Sequence, residues 1–130
     1  MNEARQGEVW FVDLDPTRRR KQAGRRPALV VSVDQLGTGP SGPAIVVPLT
    51  MTARPNPLHV AIEPPEGGLR ETSHAMPEMV RAVSRQRLVE RWGVVRDATL
   101  EHVLERVRLL MRSPYRSPPQ GLGGATDRCS

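Results

Sequence analysis

With 130 residues, a formal net charge of +5 and 38% hydrophobic side chains, the chain suits one domain of ordinary size with a modest core. A single cysteine, Cys129, excludes an internal disulfide or a cysteine zinc site and fits a reducing compartment. No apolar run approaches the roughly 18 residues of a membrane span, and the polar start (Asn2, Glu3, Arg5, Gln6) does not read as a secretion signal, so a cytoplasmic protein without membrane contact is expected.

Glu8 to Leu14, apolar or alternating with Trp10 and Phe11 in its middle, predicts a strand stopped by Pro16. Pro27 opens a second strand through Val33, which ends at the turn cluster between Gly37 and Pro43. Ala44 to Leu49 is nearly continuous in apolar residues and predicts a third strand buried on both faces. Pro57 to Ile62 predicts a fourth, with His59 alternating between Leu58 and Val60. Shorter strands follow at Ser73 to Met76, Met79 to Val83 and Arg91 to Val95. Short strands at this spacing, with no long helix between them, imply a small barrel or sandwich rather than a parallel sheet.

One helix is expected, with Asp97 as its N-cap, Pro114 ending it, and Leu100, Val103, Leu104, Val107, Leu110 and Met111 forming an apolar stripe packed on the barrel. The folded domain is placed at residues 1–112. Residues 113–130, rich in Pro and Gly and poor in apolar side chains, cannot offset their ordering entropy and are expected to form a disordered tail.

Between Pro16 and Pro27 lie Arg18, Arg19, Arg20, Lys21, Arg25 and Arg26, with no carboxylate among them. Without these six the chain has 13 basic against 14 acidic residues, so the excess positive charge belongs to one loop. Like charges so concentrated repel one another unless an anion meets them, and loops held by rigid strands are where binding groups collect. Phosphate is the favoured anion, because guanidinium matches it with paired hydrogen bonds. No HExxH, Walker loop or paired-glycine motif competes. Asp13 and Asp15 share a strand face, but before Pro16 they read as turn or dimer-contact residues rather than a cation site.

Gly7-Glu8-Val9-Trp10, Asp13-Leu14-Asp15-Pro16-Thr17, Gln22-Ala23-Gly24, Arg26-Pro27, Val46-Val47-Pro48-Leu49-Thr50, Leu58-His59-Val60 and the later Ser73, Glu78 and Arg81 together closely resemble the MazF/PemK toxins, over about residues 5–112. The resemblance implies a mainly β, SH3-like small barrel with a C-terminal helix, working as a homodimer. It implies cleavage of single-stranded RNA at a short sequence without metal or other cofactor, leaving 2′,3′-cyclic phosphate and 5′-OH ends. mRNA is the expected substrate, with rRNA and tRNA as other candidates. A cognate acidic, MazE-like antitoxin is the implied inhibitor.

By the same resemblance Arg26 and Thr50 are the catalytic residues. Arg18, Arg19, Arg20, Lys21, Gln22 and His59 are the candidate RNA contacts, and no metal ligand is assigned. Pro27 fixes its own φ and keeps Arg26 out of the α region, which helps aim the side chain. His74 and His102 carry less of the case, and Arg81 suits a structural role. Two departures stand out. Arg20 and Lys21 replace a small polar residue and a glutamate found in many members, and Met79 replaces a glutamine. Two other classes are compatible with this barrel: a toxin acting on a protein such as DNA gyrase, and a nucleic-acid-binding barrel without catalysis.

Overall fold

A computed structural model describes residues 3–15, 24–36 and 42–113. Arg18, Arg19, Arg20, Lys21 and Gln22, residues 37–41, where a turn is expected, and residues 114–130 lie outside the described residues.

Seven strands form a curled, half-closed antiparallel barrel: β1 (Glu8–Asp13), β2 (Arg25–Val30), β3 (Pro43–Thr50), β4 (Val60–Ile62), β5 (Ser73–Ala75), β6 (Arg81–Ser84) and β7 (Leu88–Val94). One helix, α1 (Asp97–Met111), follows. The strand order is β4-β5-β3-β2-β1-β7, with β6 also paired to β3.

Strand β3 organises the barrel. Its first half pairs with β6, from Pro43–Ser84 to Val46–Arg81, and its end pairs with β5 at Leu49–Ala75 and Thr50–His74. Pro48 lies at the change of partner, where its carbonyl accepts the Met76 N–H at 3.0 Å. A proline inside a central strand is tolerated at such a break because no ladder donor is required there. As the apolar run implies, β3 is buried on both sides. Val47 and Leu49 join Val9, Leu29, Ile62 and Val103 in one core cluster. Val46 joins Trp10, Val12, Ala28 and Val30 in a second.

Several expected boundaries shift for physical reasons. Strand β4 begins at Val60 because Asn56 folds the preceding residues into a turn, its side chain accepting from Leu58 N–H and its carbonyl from His59 N–H. Pro77–Met79 is a short 3-10 turn, so β6 starts after it. Asp97 is the first helical residue and not the cap; Arg96 holds the cap position without a side-chain cap bond. The carboxylate of Glu66 serves this helix end from across the fold, accepting from the Arg96 backbone N–H at 3.0 Å and its guanidinium at 3.1 Å. Burial pushes the Glu66 carboxyl up, but hydrogen bonds from Thr99 and Arg96, with the Arg96 charge, hold it below its ordinary range.

The helix stripe packs only in part. Val103 is fully buried, with Leu100, Leu104 and Val107 against the same cluster. Leu110 and Met111, expected in the core, are 41% and 67% exposed at the helix end. No helix among the described residues is long and apolar enough to cross a membrane.

Candidate active site

The site forms where β2 begins and β3 ends. The β2–β3 register pairs Val30 with Val46, Leu29 with Val47 and Ala28 with Pro48. Continued by two residues beyond Ala28 and Pro48, the same offset brings Arg26 level with Thr50 where the two strands part. On its other side Thr50 faces His74 of β5.

Both residues line a cleft of about 750 Å³, together with Arg25, Arg70 and Arg91, the carboxylates Glu71 and Glu90, and the apolar wall of Phe11, Pro27 and Trp92. The four arginines are not equivalent. Arg91 Nε donates to Glu8 Oε2 at 2.8 Å, so Glu8 holds it at the cleft while 51% of its side chain stays exposed. Arg25 lies across the β1–β2 pair from Asp13, with Nε 4.0 Å from Oδ2. Among the described residues no hydrogen bond or ion pair engages the guanidinium of Arg26 or Arg70.

Thr50 Oγ1 accepts the Thr52 backbone N–H at 3.2 Å. That bond fixes the hydroxyl as an acceptor on the protein side and leaves its proton to donate outward. An unpartnered guanidinium and an outward-donating hydroxyl on facing strands can grip two oxygens of one phosphoryl group.

Glu8 supports this arrangement from behind. Its Oε1 accepts from the Arg5 backbone N–H and the Trp10 indole, each at 2.9 Å. Burial pushes its carboxyl up, but the hydrogen bonds from Trp10, Arg5 and Arg91, with the Arg91 charge, hold it below its ordinary range. The cleft floor also depends on glycine. Gly68 has φ +72°, and a Cβ there would stand 2.1 Å from the Trp92 carbonyl oxygen, so only glycine lets the 66–71 segment lie against β7.

His59 does not join the cleft. It precedes β4 rather than alternating along it, its side chain is only 4% exposed, and Nε2 lies 2.7 Å from Glu78 Oε2. Arg81 is exposed on β6 opposite Val46, and His102 contacts Arg106 on the helix at 3.1 Å. Among the described residues no group of three or more His, Cys, Asp or Glu side chains is placed to hold a metal ion. Arg70, Arg91, Glu71, Glu90 and the Phe11–Trp92 wall were not singled out by sequence. They fall in three separate stretches, at Phe11, Arg70–Glu71 and Glu90–Trp92, which carry no local signal and meet only in the folded chain.

The family model of the PemK-like, MazF-like toxins of type II toxin–antitoxin systems matches residues 5–111. The chain is 34% identical over 110 residues to Endoribonuclease MazF9 of Mycobacterium tuberculosis, covering 81% of this chain and 93% of that protein. It is 31% identical over 107 residues to Endoribonuclease EndoA of Bacillus subtilis, covering 81% and 91%. A solved mycobacterial endoribonuclease in complex with its cognate antitoxin superposes with a TM-score of 0.67 at 22% identity, covering 89% of this chain and all of that one. Fold and relatives therefore define an enzyme class, the endoribonuclease toxins. The chain belongs to the PemK-like, MazF-like family of type II toxin–antitoxin systems.

Proposed function

We propose that the chain cuts single-stranded RNA, mRNA in the first place, at a short sequence by attack of a ribose 2′-OH on the adjacent phosphorus. The 2′-O–P bond forms and the P–O5′ bond breaks. The 2′-OH proton passes to an acceptor and the 5′ oxygen takes one up, leaving 2′,3′-cyclic phosphate and 5′-OH ends.

The observation that carries this proposal is that Arg26, whose guanidinium has no partner among the described residues, lines one cleft with the Thr50 hydroxyl. The phosphorane bears more negative charge than the diester, so a guanidinium held against it stabilises the transition state preferentially. Thr50 donates to a second oxygen or orients the 2′-OH. Arginine resists deprotonation, so Arg26 acts as a clamp and not as a base. With Lys21 where many members have a glutamate, the carboxylates available in the cleft to take the proton are Glu71 and Glu90. The route requires no metal, because the arginine supplies the charge that a cation would otherwise bring.

Arg18, Arg19, Arg20, Lys21 and Gln22, which immediately precede β2 in sequence, would hold the RNA backbone on either side of the cut. His59, enclosed and paired with Glu78, would support the segment before β4 instead. The protein would work as a homodimer in the cytoplasm, silenced by a cognate acidic antitoxin; a fold neighbour solved with its own antitoxin supports that partner. The test is to incubate purified protein with a long RNA free of secondary structure and map the product ends. Discrete cuts with 5′-OH and cyclic phosphate ends are expected. No cleavage, with inhibition of gyrase supercoiling instead, would favour the protein-targeting class.

A further inference from the structure

Two of the four aromatic side chains of this protein, Phe11 and Trp92, meet in the cleft. Their rings stack with centroids 5.5 Å apart and planes inclined by 7°. Phe11 sits between Pro27 of β2 and Glu90 of β7 in the strand register, so the stack adjoins the Arg26–Pro27 segment. Both rings are only partly buried. The Trp92 indole N–H donates to Glu90 Oε1 at 3.4 Å. That is longer than the usual range of about 2.7–3.2 Å, so the bond is weak and a better-placed ligand acceptor can replace it. Trp10 shows the contrast: it is buried, with its indole bonded to Glu8 at 2.9 Å.

A stack used only as core filling would be closed over, with its polar edge satisfied. This one forms the wall of a cavity that also holds two guanidinium groups, those of Arg26 and Arg70, without a partner among the described residues. Resting on the ribonuclease assignment above, we propose that the Phe11–Trp92 stack is a nucleobase platform, taking the base of a nucleotide that flanks the scissile phosphate. Phosphate oxygens go to Arg26 and Thr50 while the base extends the aromatic column. Every base has a π face, so the platform anchors the strand without choosing its sequence, and the indole N–H offers one directed contact to a base acceptor.

The cut site is first mapped on a long RNA, and a 2′-O-methyl heptanucleotide centred on it serves as an uncleavable probe. Trp92→Leu should weaken probe binding about five- to a hundredfold, while inorganic polyphosphate of equal charge binds as before. Trp92→Phe, which keeps a ring, should recover most of the loss. An abasic residue at one position beside the cut should weaken the wild type comparably and Trp92→Leu no further. The platform is overturned if folded Trp92→Leu binds the probe like the wild type, if probe and polyphosphate weaken equally, or if the abasic and Trp92→Leu losses simply add. Loss confined to an acidic antitoxin peptide, with RNA unaffected, assigns the stack to that partner and overturns it as well. If Trp92→Leu does not fold, Trp92→Phe against Phe11→Leu decides by the same comparisons. A wild-type protein that neither cuts nor binds any RNA removes both the platform and the ribonuclease assignment.

Discussion

Arg26, at the start of β2, and Thr50, at the end of β3, line one cleft, each two residues beyond the paired Ala28 and Pro48. In the proposed reaction the guanidinium fork and the hydroxyl would bind one phosphoryl group from two sides. Arg26→Ala should cost about 3 kcal/mol or more of transition-state stabilisation, a rate loss on the order of a hundredfold. Arg26→Lys should recover little, because an ammonium keeps the charge and loses the fork. Thr50→Ala should slow cleavage more than Thr50→Ser. Single-turnover rates beside circular dichroism check this, and full activity in a folded Arg26→Ala protein would overturn the site.

The proposed nucleophile belongs to the substrate. Cleavage should persist in EDTA and stop when the nucleotide 5′ to the cut is 2′-deoxy. Activity lost in EDTA and restored by magnesium would point to a metal-dependent reaction instead.

Glu8 links acid stability to the cleft. Its folded carboxyl is held below the ordinary value, so the stabilisation is present above the unfolded pKa and is lost as pH falls through the lower, folded one. Glu8→Gln should lower stability near neutral pH by about 1.5–3 kcal/mol, the usual contribution of hydrogen bonds to a charged group. It should also flatten the decline below about pH 4, the ordinary range of glutamate. Urea unfolding from pH 7 to pH 3 measures both, and parallel curves for the two proteins would refute the assignment.

Gly68 cannot accept a side chain without moving Trp92. Gly68→Ala should cost at least the 1–3 kcal/mol or so of a strained left-handed residue, with a further loss from the clash at 2.1 Å. Probe binding should suffer together with stability. A variant as stable as the parent would mean that the 66–71 segment is free to shift.

Charge should govern the partners. Replacing Arg18, Arg19, Arg20 or Lys21 by Ala should each reduce the log–log salt slope of RNA binding by up to about 0.7 without moving the cut site. The complex with an acidic antitoxin should weaken as salt rises. A replacement that redirects cleavage would mark that residue as a base reader.

The strands were legible where burial writes a pattern. The apolar run of β3 and the first turns of α1 are readable because each buries a continuous stripe against the cores. The start of β7 was not, since Leu88, Val89 and Glu90 follow a polar 3-10 turn at Arg85–Arg87 and carry no clear alternation. The helix start was misplaced because Glu66, remote in sequence, supplies what Asp97 was expected to supply. Arg26 and Thr50 were suggested by family resemblance and not by local pattern. Glu8 and Arg91 stand 83 residues apart. The β1–β7 register that joins them shifts between Val9 and Trp10 and again between Phe11 and Val12, which periodicity alone does not reveal.

Strands β1, β2 and β3 separate two apolar cores, with Leu29 and Val47 on one side and Ala28 and Val46 on the other. A slip of β2 by one residue would therefore exchange the contents of both cores at once. Intermediate alignments of Arg26 against Thr50 are closed to the folded chain. Core substitutions should lower the fraction of competent molecules and leave the turnover of each survivor unchanged. Evolution can retune the cleft walls while the spacing of Arg26 and Thr50 is inherited whole from the act of folding.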